Sequence, residues 1–88
     1  MAKRLVVETT GDIWAIPNLK ELMPLEIAVV GELKAAGIIE SLLLKDGSKG
    51  AFFVCGETDQ AKVEVALKRL PFYSYFKQIE YTLVDKNF

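Results

Sequence analysis

Two apolar runs at the middle of the chain, Ile38 to Lys45 and Gly50 to Cys55, flank Asp46-Gly47-Ser48. A turn dipeptide between two strand-length runs reads as a β-hairpin, with Asp-Gly supplying the turn chemistry. What lies on either side of this hairpin then sets the order of elements.

Upstream, Lys3 to Thr10 alternates Leu5, Val7 and Thr9 against Arg4, Val6 and Glu8, and its β-branched content predicts a strand. Gly11 to Asn18 breaks the pattern and forms a loop carrying the only tryptophan, Trp14. From Leu19 to Ala36 the positions Leu19, Leu22, Met23, Val30 and Leu33 share one stripe at helical spacing, with Asn18 as a cap and Gly37 as the stop. Pro24 interrupts that stripe. Either the helix is kinked there or it starts afresh with Pro24 at its first position.

Downstream, Thr58 is a natural cap for a second helix, whose Val63, Ala66, Leu67 and Leu70 sit at i, i+3, i+4 and i+7, and Pro71 ends it. Gln78 to Asp85 alternates again and reads as a fourth strand. The order is β-α-β-β-α-β, the ferredoxin-like α+β plan: a four-stranded antiparallel sheet with two helices on one face. Eighty-eight residues allow one such domain, spanning 1–88.

That plan leaves one sheet face uncovered. Strands two and three are nevertheless apolar at consecutive positions, Leu42-Leu43-Leu44 and Phe52-Phe53-Val54, so both faces are expected to be buried. The chain is 51% hydrophobic, more apolar material than a small monomer readily hides. A second copy is the economical cover, which predicts a homodimer or an oligomer of dimers.

The formal net charge of −1 offers no footprint for nucleic acid or an anionic membrane. Leu5-Val6-Val7 is too short for a signal or membrane-spanning segment, which points to a cytoplasmic protein. With no histidine and one cysteine, the usual metal ligands and the usual activating base for serine or cysteine nucleophiles are missing. Catalysis, if any, is expected to be free of metal and cofactor, resting on carboxylate, lysine, tyrosine or backbone groups.

The segment Leu67-Lys68-Arg69-Leu70-Pro71-Phe72-Tyr73-Ser74-Tyr75-Phe76-Lys77-Gln78-Ile79-Glu80 resembles the muconolactone isomerase signature: a leucine-proline step, aromatic residues, then a strand. The spacing back to helix one is also similar, so the likeness covers roughly three quarters of the chain. The resemblance implies a dimeric α/β barrel, formed by sheets pairing across two subunits, that isomerises a small unsaturated lactone by moving a proton without cofactor. In that family a glutamate eleven residues before the helix-ending glycine is implicated as the proton shuttle, and Glu26 stands eleven before Gly37. Strand three departs from the family, with Lys49 and Ala51 where the isomerases resemble one another in a tyrosine and an asparagine that hold the lactone.

The residues support Glu26 separately, because it falls inside the apolar stripe of helix one. A carboxylate there is costly to bury ionised, and desolvation raises its pKa toward the range of a general acid/base. The alternative is that Pro24 begins the helix and Glu26, at its third position, caps backbone donors. Candidate substrate-contacting residues are Trp14 on the loop after strand one, Lys49 after the hairpin turn, Phe53 on strand three, and Phe72 and Tyr75 of the aromatic group.

Two rival readings come from other classes. An RNA-recognition module shares the element order, but its strand-three motif needs three aromatics, and only Phe53 qualifies beside Ala51 and Gly56. A non-catalytic module that binds a small ligand or another protein is the second. Cys55 lies inside an apolar strand and reads as inert filling. Ser41 and Tyr81 could offer hydrogen bonds to a pocket, but nothing in the sequence singles them out.

Overall fold

A computed structural model of the chain describes residues 2–88. Strand β1 runs Ala2–Thr10, helix α1 Leu19–Ala35, β2 Ile39–Leu44, β3 Gly50–Cys55, α2 Gln60–Leu67 and β4 Gln78–Lys86. Short 3-10 turns at Ile13–Ala15, Asp46–Ser48 and Tyr73–Tyr75 fill three of the connections. The strands form one antiparallel sheet in the order β2-β3-β1-β4, the arrangement of the ferredoxin-like plan.

The register separates the two faces. Val7 pairs with Phe53 and Tyr81, and Thr9 with Ala51 and Ile79. These residues face the helices, where Leu5, Val7, Phe53 and Cys55 meet Leu33, Val63 and Leu67 in the main core. Thr9 is the one fully buried polar residue on this face. Its hydroxyl accepts from the Ala51 N–H at 3.0 Å and donates to the Ala51 carbonyl at 3.3 Å, so burial leaves nothing unpaired. A smaller cluster of Ile13, Ile16 and Phe72 closes the end of the fold beside the start of α1.

Helix α1 is continuous through Pro24, which resolves the two sequence alternatives in favour of an interior proline. Pro24 and Lys20, whose carbonyl loses its donor, both lie on the exposed side, where solvent makes that loss cheapest. Asn18 takes a left-handed conformation with φ 58° and makes no side-chain cap; only its carbonyl accepts, from the N–H groups of Glu21 and Leu22. The far end is a Schellman arrangement: Gly37, at φ 77°, donates to Lys34, and Ile38 donates to Leu33, both at 3.0 Å. Helix α2 is capped by Asp59, not Thr58, through its side chain and the Ala61 N–H at 3.0 Å.

The hairpin is looser than a two-residue Asp-Gly turn. Gly47 and Ser48 both take positive φ, 68° and 56°, and Lys45 N–H to the Gly50 carbonyl at 2.9 Å closes the connection. Gly50 itself is obligatory. At φ 149°, a Cβ there would lie 2.1 Å from the Thr9 carbonyl oxygen, inside the β1–β3 pairing.

The second face of the sheet is open. Strand β3 buries alternate residues, while Leu42, Leu43 and Leu44 of the edge strand β2 are all exposed in the single chain. Among the described residues, no helix is long and apolar enough to cross a membrane.

Candidate functional site

Helix α1 crosses the sheet with one stripe inward, and the side chain at the middle of that stripe is Glu26. It is only 7% exposed. Being the eighth residue of the helix, it cannot cap the helix's own first turn. Its Oε1 instead accepts the backbone N–H of Phe72 at 3.0 Å, bridging α1 to the segment after Pro71. That segment has left helix α2 and not yet entered β4, so its N–H has no ladder to join, and the carboxylate satisfies it. No second partner for the carboxylate exists among the described residues. Burial pushes the Glu26 carboxyl above its ordinary value near 4.5, and the Phe72 N–H only partly offsets this.

Glu26 opens onto a cavity of about 460 Å³. Its walls come from four places: Met23, Ile27 and Val30 of α1; Ile13, Trp14 and Leu19 around the first 3-10 turn; Leu42, Leu44, Ala51 and Phe53 of the hairpin strands; and Phe72 and Phe76 beyond α2. Ser48 at the hairpin turn is the other polar wall residue. Glu26 is therefore the single ionisable side chain among the described residues that line the cavity, whose walls are hydrophobic apart from Ser48. The size falls within the range of small-molecule sites, which combine apolar walls with a few polar groups.

The five candidate contact residues divide. Trp14, Phe53 and Phe72 line this cavity with Glu26; Trp14 is 72% exposed and stands at the mouth. Lys49 and Tyr75 do not line it. Lys49 turns outward to an ion pair with Asp12 at 2.8 Å, which holds the Asp12 carboxyl below its ordinary value. Tyr75 sits on an outward-facing 3-10 turn after Phe72, so its ring leaves the wall that Phe72 and Phe76 make. The further polar residues also lie elsewhere. Ser41 is exposed on β2, and the Tyr81 hydroxyl is buried with no partner among the described residues. Burial, followed by the neighbouring Tyr73, Glu64 and Cys55, pushes Tyr81 up to about 12.

Wall residues that the linear pattern did not single out as contacts include Leu42, Leu44 and Phe76. Leu42 and Leu44 pair with Phe53 and Ala51 across the hairpin, and that period-two correspondence is the signal that locates them. Cys55 is fully buried, and desolvation pushes its thiol up to about 11, far from a reactive thiolate at neutral pH. Among the described residues, no group of three or more His, Cys, Asp or Glu stands close enough to hold a metal ion.

No protein-family model matches the chain, and no curated protein matches it in sequence.

Proposed function

We propose that this chain is a small-molecule enzyme that moves a proton within a partly apolar substrate without a cofactor, as its resemblance to muconolactone isomerases implies. Glu26 is the acid/base. The observation that carries this reading is a lone, buried carboxylate with one oxygen tied to Phe72 and the remainder of the group facing a hydrophobic cavity. A base in such a place is poorly solvated, and desolvation brings its proton affinity closer to that of an activated carbon acid. In the reaction class, Glu26 takes a proton from a carbon next to a carbonyl, and the electron pair moves into the conjugated system as an enolate. The same carboxylic acid then returns the proton to a different carbon, relocating the double bond with no net change in composition.

The test is deuterium uptake from D2O into a panel of unsaturated lactones and enones, followed by proton NMR. Glu26→Gln keeps an acceptor for the Phe72 N–H while removing the titrating group. It is expected to slow uptake by at least about 100-fold, the scale of a lost general base. Uptake unchanged in the variant, or absent from every compound with the parent protein, removes the reading.

We further propose that the open sheet face pairs with a second copy. Val6, Phe52, Val54 and Val84 form a half-buried apolar centre there, extended to the edge by Leu43. Around it the charges are already matched within the chain: Lys45 with Glu8, and Glu40 with both Arg4 and Lys86. An apolar centre with a polar rim is the anatomy of a subunit interface.

A further inference from the structure

No lysine or arginine stands among the described residues that line the cavity beside Glu26, and we infer that its ligand is an uncharged, predominantly aromatic or unsaturated molecule and not a carboxylate. This rests on the reading of the cavity as the substrate site. The walls carry Trp14, Phe53, Phe72 and Phe76 against a single acidic side chain. An anion entering the cavity gives up its hydration for hydrocarbon and one carboxyl group, with no cation to receive it. If Glu26 is ionised, the two like charges repel; if it is protonated, it offers one donor, which a neutral carbonyl or hydroxyl uses as well without the desolvation cost.

The surrounding lysines do not change this balance. The Lys49 ammonium is held by Asp12 outside the wall, and that of Lys45 reaches Glu8 and the Thr10 hydroxyl on the opposite face of the sheet. Lys20 belongs to a shallow outer groove shared with Trp14, Met23 and Pro24, on the solvent side of the mouth. A lactone bearing a free carboxylate is thereby disfavoured.

Calorimetric titration of the intact chain at pH 7 with 2-naphthol and 2-naphthoate, two flat probes that differ chiefly in charge, tests the inference. The neutral probe is expected to bind at least about tenfold more tightly. Lys20→Ala is expected to leave both affinities unchanged, and Leu42→Trp, which fills the cavity from an exposed wall position, to weaken naphthol binding at least about tenfold. Naphthoate binding as tightly as naphthol overturns the inference, as does binding of neither probe at millimolar concentration. So does naphthol binding that a folded Leu42→Trp variant leaves intact. A charge preference that holds while Glu26→Gln retains full proton-transfer activity would remove the proposed acid/base role and leave the ligand class standing.

Discussion

The carboxylate of Glu26 and the backbone N–H of Phe72, 46 residues apart in sequence, are joined by a 3.0 Å hydrogen bond at the floor of the cavity. The bond ties the middle of α1 to the connection between α2 and β4. It also orients the acid. With Oε1 committed to the main chain, the proton-carrying role falls to the oxygen that has no protein partner.

Linkage gives this arrangement a pH signature. Because burial raises the folded-state pKa of Glu26 above its ordinary value near 4.5, the folded protein holds the proton more tightly than the unfolded chain does. The contribution of Glu26 to stability is therefore fully present below pH 4.5 and is lost as pH rises through the raised folded value. Relative to the parent, Glu26→Gln should gain stability from about pH 4.5 upward and level off above the folded pKa, by about 1.4 kcal/mol for each unit of elevation. Urea denaturation of both proteins across that range checks it; a gap that narrows with rising pH would contradict the raised value.

Tyr81 supplies a prediction of opposite character. Its hydroxyl is buried with no partner among the described residues, and leaving such a group unpaired costs about 1–3 kcal/mol. Tyr81→Phe removes the orphan and keeps the ring that packs against the core. The variant is expected to be about 1 kcal/mol more stable by chemical denaturation. A loss of stability of that size would mean that the hydroxyl has a partner in solution.

The sheet face bears on assembly. Sedimentation of the parent at micromolar concentration should report a dimer, and Val54→Glu, which puts a charge at the apolar centre, should report a folded monomer with unchanged far-ultraviolet circular dichroism. A parent that sediments as a stable monomer contradicts the proposed pairing.

The element order was readable because β1 and β4 alternate, β2 and β3 are continuous apolar runs around a turn sequence, and the two helices repeat at helical spacing. Glu26 was also legible, as an acid inside an apolar stripe. Its bond to Phe72 was not, since no local pattern records which distant backbone donor lacks a partner. Trp14, Phe53 and Phe72 fell on the cavity, but Lys49 did not. Lys49 was a candidate contact only by its place after the hairpin turn, and Asp12, 37 residues away, claims its ammonium. Tyr75, on the 3-10 turn at Tyr73–Tyr75, is exposed and stands outside the cavity wall that Phe72 and Phe76 join, a placement that strand-like or helical spacing does not anticipate. The consecutive leucines of β2 led to the expectation of a second copy as cover; in the single chain Leu43 and Leu44 are 56% and 60% exposed on the edge strand.

The central claim is that Glu26 is a desolvated carboxyl group of raised proton affinity in a hydrophobic cavity, and its own titration addresses this most directly. Carbon-detected NMR of the side-chain carboxyl groups, with Glu26 assigned by comparison with Glu26→Gln, gives the midpoint. The account predicts a midpoint clearly above 4.5, moving higher when 2-naphthol is added and the remaining water is displaced. A midpoint at or below 4.5 would contradict it, leaving Glu26 as an ordinary ionised anchor for the Phe72 backbone.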